Sequence, residues 1–165
     1  ALLAGYDIRK SEVHGMAQRG GSVSSHVRFG KRVLSPLIEL GDADVMLAFE
    51  KVEGLRTCEF LKKGGTIIMN DVEVVPTTVS IGMGAYPQDV PDRLRELGFK
   101  VILVDAQVMA ERAGTVKAAN VVLLAALAAH LHIAREIWME VIAKRVPKKF
   151  LDVNLEAFRL GYGEA

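Results

Sequence analysis

Three short runs along the chain, Asp44–Phe49, Thr66–Met69 and Lys100–Val104, are almost wholly apolar and are bounded by polar or turn-forming residues. Apolar runs of this length that lack alternation are the pattern of strands buried on both faces, as in parallel sheets. Between and after them the apolar spacing lengthens to a helical period. It predicts a helix over Val52–Leu61 with Leu55, Cys58 and Leu61 inward, ended by Gly64-Gly65. A short helix is expected over Pro91–Leu97, with its proline in the first turn and Gly98 as the stop. A long helix is expected over Lys117–Arg145, ended by Pro147. A last helix is expected over Asn154–Leu160, capped by Asn154 and stopped by Gly161. Strands that alternate with helices in this way predict an α/β layered fold.

The opening region reads differently. Ala1–Ala4 resembles the tail of a helix closed by Gly5, and Tyr6–Arg9 a short strand. Ser22–Phe29 alternates, with Val23, Ser25, Val27 and Phe29 on one face. After a turn at Gly30-Lys31, Arg32–Ile38 is expected to run back as a second strand, restricted to an edge by Pro36. This predicted hairpin makes the expected sheet mostly parallel but mixed, flanked by helices, in one domain over residues 1–165. A strand and a loop are expected ahead of the opening helix. Glu73–Val75 is expected to extend the sheet before Pro76. No internal repeat is visible.

Composition narrows the function classes. The 165 residues carry a formal net charge of +1, which argues against nucleic acid or an anionic membrane as the main partner. Cys58 is the only cysteine, too few for an iron–sulfur cluster or a cysteine-based zinc site. It also permits no internal disulfide, in keeping with a reducing, cytoplasmic setting. No basic leader opens the chain. The longest apolar stretch, Val121–Ala129, falls far short of the ~20 residues of a membrane span. It is expected to be a helix buried nearly all round. Ala125, Ala126, Ala128 and Ala129 would allow close approach of a second copy or of a partner subunit.

The segment with the most unusual chemistry is Ser11–Gly21, a polar, glycine-rich loop that gathers Glu12, His14, Gln18, Arg19, Gly20 and Gly21. Glycines let a backbone approach a ligand or partner closely, and Arg19 offers a planar fork to a carboxylate or phosphate. The plainer alternative is a solvated connection. Asn70-Asp71 and Asp105 follow buried strands, where ligands of open α/β sheets bind; Asn and Asp there also commonly cap turns. His130 and His132 sit about 200° apart on a helix and do not chelate one metal. Glu12 and His14 face one side of an extended chain, a slender basis for acid–base work. No phosphate-binding P-loop and no nucleophile elbow is present. Gly41-Asp42-Ala43 lacks the rest of a thiamine diphosphate motif. No catalytic residue and no metal ligand is assigned.

The run Ser11-Glu-Val-His-Gly-Met-Ala-Gln-Arg-Gly-Gly-Ser-Val-Ser-Ser-His-Val-Arg-Phe-Gly30 resembles the gamma-type subunits and domains of the 2-oxoacid ferredoxin oxidoreductases, and most of all the beta subunit of the indolepyruvate type. Ser35-Pro-Leu-Ile38, Ala43-Asp-Val-Met-Leu-Ala-Phe-Glu50, Gly65-Thr-Ile-Ile-Met-Asn70, Pro76-Thr-Thr78, Tyr86-Pro87, Asp105-Ala106, Glu136-Ile-Trp138, Val146-Pro147 and Asn154-Leu-Glu-Ala-Phe158 extend the likeness over nearly the whole chain. The resemblance implies that the loop expected ahead of the opening helix is glycine-rich, and that the subunit has no cofactor of its own. Thiamine diphosphate and iron–sulfur clusters are expected on a partner subunit that passes electrons to ferredoxin, with coenzyme A as co-substrate nearby. It implies that the Ser11–Gly21 loop faces the partner or the shared active-site cavity. The Ser-Glu-Val-His and Met-Ala-Gln-Arg pieces favour aryl pyruvates as substrates. Pyruvate, 2-oxoglutarate or branched-chain 2-oxoacids are the alternative, and a stand-alone small-ligand-binding α/β protein is the alternative outside this class.

Overall fold

The computed structural model describes residues 1–14, 23–75, 77–82 and 84–163. A 3₁₀ turn at Leu2–Ala4, closed by Gly5 in the left-handed conformation, leads into strand β1 (Asp7–His14), which pairs antiparallel with β2 (Val23–Gly30). The body follows: β3 (Ala43–Ala48), α1 (Lys51–Thr57), a 3₁₀ turn at Cys58–Phe60, β4 (Leu61–Asn70), α2 (Thr77–Ser80), α3 (Val90–Glu96) and β5 (Lys100–Val104). The chain closes with α4 (Ala106–Ala113), a 3₁₀ turn at Val116–Ala118, α5 (Ala119–Ala129), α6 (Arg135–Arg145), a 3₁₀ turn at Lys148–Phe150 and α7 (Leu151–Gly163).

The fold is α/β, with a parallel sheet in the order β3-β4-β5 and helices on both faces. The middle strand shows why the run Ile67-Ile68-Met69 is uninterruptedly apolar. Side chains alternate across a strand, so Ile67 and Met69 join one core with Val90 and Leu94 of α3. Ile68 joins the opposite core with α4, α5 and α7. All three are wholly buried. Helix α1 lies close against the sheet at Gly54, where an added Cβ would stand 2.5 Å from the Met69 Cε.

Three expectations are corrected. The hairpin partner of β2 is β1, not Arg32–Ile38, and the pair forms a separate two-stranded ribbon rather than a mixed extension of the main sheet. Arg32–Ile38 forms no ladder; Pro36 has no N–H to give one. Its amides go to side chains instead: Val33 N–H to Asp7 Oδ2, Leu37 N–H to Ser35 Oγ and Ile38 N–H to His26 Nδ1. Glu73–Val75 adds no strand.

The predicted long helix is two helices. Over Lys117–Arg145 a straight helix would carry Ile142 about 30 Å from Val121 at 1.5 Å per residue. The observed break at His130–Ala134 folds α6 back, so that Ile142 and Val121 share one core. No glycine or proline marks the break. The last turn of α5 tightens through His130 N–H to Leu127 O and Leu131 N–H to Ala128 O. The His130 ring takes up the Ala126 carbonyl at 2.9 Å, and Ile133 turns inward.

The final helix begins before Asn154 and runs past Gly161. The Asn154 amide donates to the Phe150 carbonyl from within the helix. Gly161 is a contact rather than a stop: α7 crosses α5 there, with the Val122 backbone against it.

Candidate functional site

Each parallel strand ends in a polar residue: β3 runs on to Glu50, β4 ends at Asn70, and β5 runs on to Asp105. Asn70 is the buried polar side chain among the described residues. It bridges all three strand ends, with Nδ2 donating to the Phe49 carbonyl and Oδ1 accepting from the Ala106 amide. Asp105 stands beside it and caps α4 by accepting from the Val108 amide. The structure therefore brings the two strand-end candidates together and commits these polar atoms to the framework.

Sequence reading assigns no site role to Glu50, Lys51 or Tyr86, although Glu50 and Tyr86 lie in the pieces that carry the resemblance. The Glu50 carboxylate caps α1, accepting from Val52 N–H at 3.0 Å and Glu53 N–H at 2.5 Å. The Tyr86 hydroxyl donates to the same carboxylate at 3.0 Å. Burial, then this hydrogen bond to an anion, raises the Tyr86 pKa far above the usual phenol range, so Tyr86 acts as a fixed donor. Lys51 pairs with Asp71 at 2.7 Å and Glu73 at 3.2 Å. Its pKa is raised chiefly by the Asp71 contact, against the opposing effect of burial. The signal for Glu50 lay in its position: a polar residue directly after a buried strand, as with Asn70 and Asp105.

Of these groups, Lys51, Asp71 and Glu73 border a hollow of about 340 Å³ that also takes in Gln88, Asp89 and Arg95. Phe49, Val74, Val75 and Ile81 are exposed in the same stretches of chain. The arrangement provides paired charges and apolar surface, suited to holding a partner or ligand in place rather than to moving protons. Cys58 is half-buried, and burial raises its thiol pKa, which keeps it a poor nucleophile. Among the described residues no group of three or more His, Cys, Asp or Glu side chains is placed to hold a metal ion. No helix among them is long and apolar enough to cross a membrane.

Removing the cap tests this account of Glu50. Glu50→Ala is expected to lower stability by about 1–2 kcal/mol, as loss of a helix cap does, while Glu50→Gln should retain part of it. Urea denaturation of the two variants checks the order, and equal midpoints for Ala and wild type would remove the cap from the account.

The candidates Glu12 and His14 lie on β1, not in a loop. Glu12 pairs with Lys10 at 2.6 Å, and His14 pairs through its backbone with Val23. Gln18, Arg19, Gly20 and Gly21 lie outside the described residues, in the segment that joins β1 to β2. The ribbon that carries them is tied to the body at its base. Arg28 donates to the Leu37 carbonyl and pairs with Asp42 at 3.5 Å. The His26 ring meets Phe60 edge-on.

Comparison with known proteins places this geometry. A family model described as pyruvate ferredoxin/flavodoxin oxidoreductase matches residues 1–164. The chain is 43% identical over 168 residues to indolepyruvate oxidoreductase subunit IorB of Thermococcus kodakarensis, covering 98% of this chain and 82% of that protein. It is 45% identical over 166 residues to the subunit of the same name from Pyrococcus horikoshii, with coverages of 98% and 82%. For that of Archaeoglobus fulgidus the identity is 41% over 169 residues, with coverages of 100% and 84%. Among solved structures, the gamma subunit of a keto/oxoacid ferredoxin oxidoreductase from Geobacter sulfurreducens superposes with a TM-score of 0.70 at 21% identity, covering 100% of this chain and 83% of that one. A 2-oxoglutarate:ferredoxin oxidoreductase from Magnetococcus marinus, solved with 2-oxoglutarate, coenzyme A and succinyl-CoA bound, superposes with a TM-score of 0.69 at 21% identity. There the match covers 98% of this chain and 26% of the longer one.

Proposed function

The chain belongs to the pyruvate ferredoxin/flavodoxin oxidoreductase family, and from that premise we propose that it is the small subunit of a 2-oxoacid:ferredoxin oxidoreductase acting on indolepyruvate and related aryl pyruvates. The observation that carries the reading is the 41–45% identity, along essentially the whole chain, to three archaeal subunits of indolepyruvate oxidoreductase. In this reading a large partner chain in the cytoplasm holds thiamine diphosphate and the iron–sulfur clusters. The complex converts the oxoacid and coenzyme A to acyl-CoA and CO₂ while reducing ferredoxin. The single cysteine of this chain supports that division, since a cluster takes several thiolates.

The small subunit's part is to complete the assembly, with the β1–β2 ribbon carrying Arg19 and its neighbouring glycines toward the large chain or the shared cavity. A two-stranded ribbon is marginal by itself in water, which supports a seat for it on a partner. Coenzyme A is the co-substrate expected near that junction.

Reconstitution tests both parts. The complex is expected to reduce a viologen dye with indolepyruvate and coenzyme A, and this chain alone to reduce none. Preference for pyruvate or 2-oxoglutarate would overturn the substrate. Arg19→Ala is expected to leave the melting temperature unchanged and to lower the activity of the complex about tenfold, the scale of one lost charged hydrogen bond. Full activity and full assembly in that variant would reduce the segment to a connection.

A further inference from the structure

The strap from Lys31 to Leu40 leaves three leucines in the open. Leu34 is 83% exposed, Leu37 55% and Leu40 64%. Val33 is buried, and Ile38 packs against the α1–α3 core, so the strap has a defined inner and outer side. It is also held in place. Asp7, His26 and Arg28 of the ribbon bond to Val33, Ile38 and Leu37 respectively. Large apolar side chains fixed outward at such spacing are costly in water, and exposed apolar patches of this kind mark interaction surfaces.

Two further observations specify what the surface fits. A hollow of about 400 Å³ opens beside Leu34, lined by Arg28, Phe29, Gly30, Arg32 and Val33. Arg32 of its lining and the neighbouring Lys31 are exposed, and Glu39 is the sole acidic residue of the strap. The surface is thus apolar along its length and cationic at one end. It is also continuous with the ribbon, whose outward Val23 and Val27 are exposed.

We infer that this strap is the docking surface for the large chain of the oxidoreductase, which meets it with an apolar face rimmed by carboxylates, one acidic side chain entering the hollow between Arg32 and Leu34. The inference rests on the reading of this chain as a small subunit. It adds the location of the junction and the chemistry of the partner's side.

The test uses the full-length subunit co-purified with its large chain. Changing Leu34, Leu37 and Leu40 together to Ser is expected to leave the melting temperature of the free subunit unchanged, because these side chains are exposed. The same variant is expected to weaken binding of the large chain by ~100-fold or more, as loss of central anchors does. A second variant, Lys31→Glu with Arg32→Glu, alters only exposed charges. It should weaken binding less and flatten its salt dependence. Wild-type binding by both variants would overturn the docking surface and leave the subunit reading intact. Failure of the unaltered subunit to bind the large chain would overturn both. Loss of self-association with binding of the large chain preserved would assign the strap to a second copy and overturn the inference.

Discussion

Ala128→Asp is expected to leave the chain without a cooperative folded state. Ala128 is fully buried in the core that α5 shares with α4 and α7, among Ala125, Val122 and Phe158. The core cluster that holds it is made of apolar side chains. A carboxylate placed at a fully buried position loses its water, and the effective penalty of an unpaired buried charge is several kcal/mol. A domain's whole stability is about 5–15 kcal/mol. Circular dichroism should show the thermal transition abolished or shifted below room temperature, with Ala128→Ser much milder. A wild-type melting curve for the aspartate variant would mean that this face of α5 is open to water.

The second large effect comes from adding one methyl group. A Cβ at Gly161 would lie 2.3 Å from the Val122 carbonyl oxygen, 2.9 Å from its carbon and 3.0 Å from the Ala125 Cβ. The obstacle is backbone in the middle of a packed helix, and no rotamer change relieves it. Gly161→Ala gains about 1 kcal/mol in helix propensity. Overpacking costs about 1–3 kcal/mol and more where the neighbours are rigid. The clash is expected to win, for a net loss of about 2–3 kcal/mol and a fall in melting temperature of roughly 5–10 °C. Leu160, one residue away and 7% exposed, has its space already and offers a useful comparison as Leu160→Met. A stabilised Gly161→Ala variant would show that the two helices separate without cost.

The sequence was most legible in the short apolar runs of β3 and β5. Lys100–Val104 begins and ends as expected, and Asp44–Phe49 differs from β3 by one residue at each end. β4 begins at Leu61, well ahead of its expected start at Thr66, because Lys62, Lys63 and Gly64 in its first half are exposed and carry no apolar signal. The ribbon was harder to read. Lys10–His14 is polar, and nothing local announces that its partner is β2; the ladder is closed by cross-strand pairing rather than by burial. The break at His130–Ala134 was invisible for a related reason. It arises because Trp138 and Ile142 have a core to return to, a tertiary cause that no turn residue signals. Gly161 was misread as a terminator because a glycine that ends a helix and one that lets two helices touch look alike in sequence.

The candidate site was legible in part for the same reasons. Asn70 and Asp105 stood out as polar residues after buried strands, and the structure joins them around the Ala106 amide. Glu50 occupies the equivalent place but was given no site role. Its link to Tyr86 spans 36 residues and appears only once α1 and the following loop are folded.

The ribbon's self-contained ladder has a consequence for how the molecule opens. Its eight residue pairs run from Asp7↔Gly30 to His14↔Val23 and draw on no strand of the parallel sheet. Breaking them exposes little of either core. The amides of Ile67, Ile68 and Met69 in β4, paired on both sides and buried above and below, exchange with solvent only when the whole body opens. Those toward the far end of the ribbon exchange through a local opening of much lower free energy. The chain therefore holds two levels of protection within one fold, and whatever seats the ribbon raises the lower level without altering the upper one.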